Sequence, residues 1–89
     1  MRAIITVIGK DKVGIVAGIS AELLNHDINI IDINQTIMEE FFTMILMVDL
    51  SKSKKSFEEI KKGLTLRGNN LGVDVKIQRE EIFNSMHTL

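Results

Sequence analysis

The period of the apolar positions changes repeatedly along the chain, and each change marks the edge of an element. Residues 3–8, AIITVI, are a β-branched run that stops at Gly9 and predicts a strand. Apolar side chains then recur at Val16, Ile19 and Leu23, with Ile15 and Leu24 beside them, which is helical spacing. Asp11 is a helix-capping residue type, Gly14 falls in the first turn, and the poor helix formers Asn25, His26 and Asp27 should end this helix. INIIDINQTIM, residues 28–38, and FFTMILMVDL, residues 41–50, read as two strands of a hairpin turning at Glu39-Glu40, although Glu-Glu is poor turn chemistry. Beyond the polar SKSKKS, Phe57, Ile60 and Leu64 resume helical spacing, Glu58 and Lys62 stand as an i,i+4 pair, and Gly68-Asn69-Asn70 should end the helix. GVDVKIQ, residues 72–78, alternates as a strand. The remainder places Ile82, Phe83, Met86 and Leu89 on one side of a short helical tail.

The order βαββαβ predicts an α+β, ferredoxin-like fold with an antiparallel four-stranded sheet in the order 2-3-1-4 and two helices on one face. It predicts one domain over residues 1–79 and a C-terminal amphipathic tail over 80–89. The third strand carries Phe42, Met44, Leu46 and Val48 on one side and Phe41, Ile45 and Met47 on the other, and the first strand is also apolar on both sides. Helices cover one face only, so the other face should be covered by the tail, by a second subunit, or by both. A homodimer is the expected state.

Composition narrows the chemistry. The 89 residues include no cysteine, which excludes disulfides and thiolate metal sites, and only two histidines, His26 and His87, too far apart in sequence for a usual zinc site. Eleven basic residues against twelve acidic ones, without a block of either, argue against nucleic-acid and membrane partners. The N-terminus lacks a signal-peptide pattern and no apolar run approaches a membrane span, so a cytoplasmic protein is expected.

The stretch GKDKVGIVAGIS, residues 9–20, poses the functional question. Gly9 and Gly14 have the separation of a phosphate-binding loop, but Ile15-Val16 stand where Lys-Ser/Thr is needed, and GxGxxG spacing is absent. What remains is a strand–loop–helix turn whose free N–H groups could receive a carboxylate. GKDKVGIVAGISAELLNHDINIIDINQT resembles the signature segment of ACT domains, small ligand-sensing modules of amino-acid metabolism. Asp11, Lys12, Val13, Gly14 and Ile15 match the loop and helix start, and Asn29-Ile30 match the start of the second strand. The tail IFNSMHTL is similar to that of small stand-alone ACT proteins related to the modules of the glycine-cleavage-system repressor. Lys12 replaces the typical Arg and Val13 the typical Pro. The resemblance implies that Asp11, Val13, Gly14, Ile15, Asn29 and Ile30 hold an amino acid between two subunits, without a metal or cofactor.

Catalysis finds little support. No serine–histidine–acid spacing is recognisable, His26 suits a helix C-terminus, His87 lies in the tail, and Asp32, Glu39 and Glu40 are expected to be solvated charges rather than paired acids. Phe41 and Phe42 are adjacent and so point to opposite faces, unlike the stacking platform of an RNA-binding sheet. The sequence therefore predicts a non-enzymatic regulator that senses an amino acid or similar metabolite. The alternative is a ligand-free module that docks on a larger enzyme or regulator.

Overall fold

The computed structural model describes residues 1–10 and 13–82. Its elements are β1 (Arg2–Lys10), α1 (Ile15–Asn25), β2 (Asn29–Met38), β3 (Phe41–Asp49), α2 (Phe57–Leu71) and β4 (Val73–Arg79). The sheet runs β2-β3-β1-β4 with every neighbouring pair antiparallel, which is the expected ferredoxin-like topology. A helical turn at 80–82 follows β4; the rest of the expected tail, including Phe83, Met86, His87 and Leu89, lies outside the described residues.

One face of the sheet builds the core. Ala3, Ile5 and Val7 of β1, Phe42, Met44, Leu46 and Val48 of β3, and Val73, Val75 and Ile77 of β4 are buried against the helices. Ile15, Ile19 and Leu23 of α1 and Ile60 and Leu64 of α2 fill the space from the other side. Each such side chain contributes on the order of 1.5–3 kcal/mol when fully buried, so this layer carries most of the folding free energy. Val16 and Leu24 do not join it. The inward stripe of α1 is the single line Ile15–Ile19–Leu23, and both flanking residues are exposed.

The second helix departs further from the sequence reading. It begins where Ser56 and Glu59 form a capping box: the Glu59 N–H donates to Ser56 Oγ and the Ser56 N–H to Glu59 Oε1, each at 3.2 Å. It does not stop at Gly68-Asn69-Asn70 but continues to Leu71 and ends on Gly72, whose φ of 75° provides the left-handed cap. Gly68 is a packing residue: a Cβ there would lie 2.6 Å from Val75 Cγ2 and 3.0 Å from the Val73 carbonyl oxygen. Among the described residues Glu58 and Lys62 form no ion pair with each other.

Strand β2 contains a bulge. Ile30 pairs with Val48 and Asp32 with Met47, leaving Ile31 as the extra residue. Before the bulge Ile30 faces the core; after it Ile33 shares the face of Leu46, while Asp32 and Asn34 join Met47 and Ile45 on the face opposite the helices. The turn to β3 is at Glu39-Glu40, with Glu39 at φ 57°, an uncommon conformation for a side chain of this kind.

Candidate functional site

The loop after β1 ends at Gly14, which is the N-cap of α1 rather than a first-turn residue. Its φ is 93°, and among the described residues no side chain accepts a hydrogen bond at this cap. The Gly14 carbonyl receives the Gly18 N–H at 2.8 Å, so the helix is regular from its first turn. A Cβ at Gly14 would meet nothing within 4 Å, so the positive φ rather than crowding requires glycine. The first turn of α1 holds no acidic residue, so its leading N–H groups have no carboxylate partner from their own first turn. Val13 is fully exposed beside them. Ile15 is buried in the core, so only its backbone can face a ligand. Asp11 and Lys12 fall outside the described residues, and the expected cap by Asp11 falls with them.

Asn29 and Ile30 sit elsewhere. Asn29 pairs with Asp49, and Asp49 pairs with Arg2 at the start of β1, whereas the loop leaves β1 at Lys10. Eight residues of strand separate those levels, roughly 26 Å at 3.3 Å per residue. Val13, Gly14 and Ile15 are thus together at one end of the sheet, and exposed Asn29 and half-buried Ile30 are together at the other. A single chain does not join the two groups around one small molecule. Between them runs β2, an edge strand of ten residues in which only Ile30 is even partly buried. Ile31, Ile33, Ile37 and Met38 are exposed along it, which is unusual for a free edge.

The acidic residues considered for catalysis are not brought together: Asp32 lies within β2 and Glu39-Glu40 at the turn beyond its far end. Among the described residues no group of three His, Cys, Asp or Glu side chains could hold a metal ion. No helix of the described residues is long and apolar enough to cross a membrane.

A polar cluster that the sequence reading missed joins the two helices. His26 is the C-cap of α1, as expected, but it is 5% exposed, and its Nε2 donates to Glu22 Oε2 at 2.6 Å. Glu22 Oε1 accepts from Arg67 Nε of α2 at 3.3 Å. Gly63 lets the helices close at this point, since a Cβ there would stand 2.5 Å from Glu22 Oε2 and 2.7 Å from His26 Nε2. With Nε2 as donor, Nδ1 is buried without a hydrogen-bond partner among the described residues. The i,i+4 spacing of Glu22 and His26 was the available signal; Arg67, 45 residues away, gave none. This cluster locks helix to helix on the side away from the open sheet face.

Residues 2–78 match the family model of the ACT domain. A UPF0237 protein of Listeria innocua is 57% identical over 89 residues, with all of both chains covered. The solved structure of an ACT domain protein from Streptococcus pneumoniae superposes with a TM-score of 0.83 at 44% identity, covering 98% of each chain. The regulatory subunit of aspartate kinase from Thermus thermophilus, in its ligand-free form, shares the fold with a TM-score of 0.68 at 22% identity, over 86% of this chain and 50% of that one. An unbroken family match over both strand pairs and both helices, joined to the observed β2-β3-β1-β4 sheet, shows that this chain belongs to the ACT domain family.

Proposed function

We propose that this chain is a non-enzymatic cytoplasmic regulator that binds an amino acid or similar small metabolite at the boundary of a homodimer. In this reading Asp11, Val13, Gly14 and Ile15 come from one subunit, and Asn29 and Ile30 from its partner. The observation that carries it is the separation of the two residue groups to opposite ends of an exposed apolar edge strand. Two copies joined antiparallel along their β2 edges place the loop end of one beside the Asn29 end of the other, twice by symmetry. Such pairing also covers Ile31, Ile33 and Ile37 and satisfies the free backbone groups of the edge. The uncapped N–H groups after Gly14 suit a ligand carboxylate, Asp11 suits an ammonium, and the Asn29 amide can serve either. Family membership and the fold shared with an aspartate kinase regulatory subunit support the same reading. Ligand binding would regulate by favouring one arrangement of the two subunits over another.

The test is a titration of the standard amino acids by calorimetry, followed by complementation. Asp11→Ala and Asn29→Ala should each weaken binding by about 1–3 kcal/mol, the range for a lost hydrogen bond to a charged group. A mixed dimer of the two variants regenerates one unmutated site, so about half of its sites should bind. No recovery after demonstrated subunit exchange refutes the shared site. Silence toward every amino acid, with stoichiometric capture of one metabolic enzyme, would select the docking module instead.

A further inference from the structure

Among the described residues no element lies over the sheet face away from the helices, although Ile4 on it is buried. The residues of this face fall into rows set by the strand register. Arg2 lies level with Asp49; Ile4 with Met47, Asp32 and Gln78; Thr6 with Ile45, Asn34 and Lys76; Ile8 with Thr43, Thr36 and Asp74; and Lys10 with Phe41 and Met38. The central strands present apolar side chains here, and Ile8, Ile45 and Phe41 are 44–49% exposed. A depression of about 130 Å³ lies between Ile4, Ile45, Met47, Asp32 and Asn34. Neither Asp32 nor Lys76 is in an ion pair among the described residues; Asp32 Oδ1 only accepts the Ile33 N–H at 2.9 Å.

We infer that this face packs against the same face of a second copy of the chain, about a two-fold axis running along the strands between β1 and β3. That operation lays β1 of one copy over β3 of the other and β4 over β2, at the same level. Arg2 then stands opposite Asp49, Ile4 opposite Met47, Lys10 opposite the Phe41 ring, Gln78 opposite Asp32, and Asp74 opposite Thr36. Lys76 stands opposite Asn34, and Asp32 is one same-face position away, about 7 Å along the strand. Its alkyl stem can cross the depression over Ile45 and Met47 and bring the ammonium to Asp32, as long cationic side chains do. No like charges meet, and the middle of the contact is apolar.

The other two-fold in the plane of the face, across the strands, lays β4 on β4. It sets Lys76, in the central row, against its own copy, and turns Asp32 toward Thr36. Charge complementarity therefore selects the axis along the strands. Four strands about 4.8 Å apart and roughly eight residues long give on the order of 500 Å² per copy, or 1,000 Å² in all, at the lower end of stable interfaces. This contact is separate from the β2 edge proposed for ligand binding, and either can exist without the other; their two-fold axes lie about two strand spacings apart and do not meet, so the two contacts together link copies into an open ribbon rather than a closed dimer.

Light scattering on the full chain at low ionic strength tests it. Ile45→Glu places a charge at the centre of the contact on an exposed, non-edge residue and should lower the particle mass at least twofold relative to the parent, whose protomer is 10.0 kDa. Lys76→Glu should weaken association at least tenfold, and Asp32→Lys likewise. The double variant Asp32→Lys/Lys76→Glu reverses both charges and should recover association to within a few-fold of the parent. Circular dichroism on each variant separates loss of contact from loss of fold. Unchanged mass in folded Ile45→Glu and Lys76→Glu overturns the inference. A monomeric parent that associates only after removal of residues 83–89 also overturns it, because the tail would then be the occupant. Loss of amino-acid binding with the face contact intact would strike only the edge site.

Discussion

Gly18 and Gly68 offer a matched pair in which one substitution should have opposite signs. Both lie inside helices, so replacing either by alanine gains about 1 kcal/mol of intrinsic helix stability. What opposes that gain differs. At Gly68 the new methyl would lie 2.6 Å from Val75 Cγ2, 3.3 Å from Val75 Cβ and 3.0 Å from the Val73 carbonyl oxygen. Val75 is β-branched and buried, and the carbonyl belongs to β4, so none of these atoms can turn aside. Overpacking a tight core costs about 1–3 kcal/mol, and with a backbone atom involved the upper part of that range applies. The net effect at Gly68 should be a loss of about 1–2 kcal/mol. At Gly18 the near atoms are Leu71 Cδ1 and Cδ2, at 2.8 and 3.0 Å, the tips of a half-buried side chain in the last turn of α2. A rotamer change relieves that contact, and Gly18→Ala should lie between neutral and about 1 kcal/mol more stable. Urea unfolding at one fixed protein concentration reads both, through the midpoint at unchanged slope. The two variants thus differ by about 1–3 kcal/mol, and for a domain of this size the pair should melt roughly 4–24 °C apart, at about 4–8 °C per kcal/mol. Equal stability of the two variants would refute the packing assigned to the α2–β4 contact.

Two further substitutions test backbone and charge. Gly14→Ala should cost about 1–2 kcal/mol of stability although the added methyl meets nothing, because φ of 93° is unfavourable for any L side chain; an unfolding midpoint equal to the parent's would show that the loop readily adopts another cap. The Asp49 carboxyl is held below its ordinary value of 3.8, first by the Ser51 backbone N–H at 2.9 Å and then by the Ser51 hydroxyl. A depressed carboxyl pKa stabilises the fold above the unfolded-state value and loses that contribution as pH falls through the folded one, so Asp49→Asn should flatten the stability profile below about pH 4 and leave its shape above pH 5 unchanged. Chemical denaturation from pH 2 to 7 checks this, and an acid limb parallel to the parent's would count against it.

Much of the fold was legible because strand alternation is a strict signal. Phe42, Met44, Leu46 and Val48 in one phase and Phe41, Ile45 and Met47 in the other place β3 at the centre of a sheet, and β3 is there. Glycine was the weaker guide. Gly68 beside two asparagines reads as a helix end, yet it is buried under β4, and the stop four residues later depends on the left-handed φ of Gly72. The sequence alone cannot separate a glycine chosen for conformation from one chosen for space. Leu24 and Val16 were misplaced because helical spacing alone cannot fix how wide a stripe the sheet will cover. The separation of the two residue groups of the site followed from topology, since a crossover helix must return the chain to its starting end. The Glu22–Arg67 contact did not, because it depends on how α1 and α2 lie across each other.

The bulge at Ile31 has a consequence for how this strand can vary. Upstream of it, Asn29 and Ile30 keep one alternation; downstream, Asp32 to Met38 keep the other. In a continuous strand, any change of length would turn every later side chain over, sending Asp32 and Asn34 toward the core and Ile33 away from it. Here the mismatch is already absorbed at one position. The two residues at the mouth of the strand follow an alternation of their own, separate from that of the seven-residue strip Asp32–Met38 that follows the bulge. The exposed side chain at Asn29 can therefore be exchanged, and a change of length absorbed at the bulge, while the strip holds its register against β3. A scaffold of this kind can alter what it binds at one end of an edge without renegotiating the sheet.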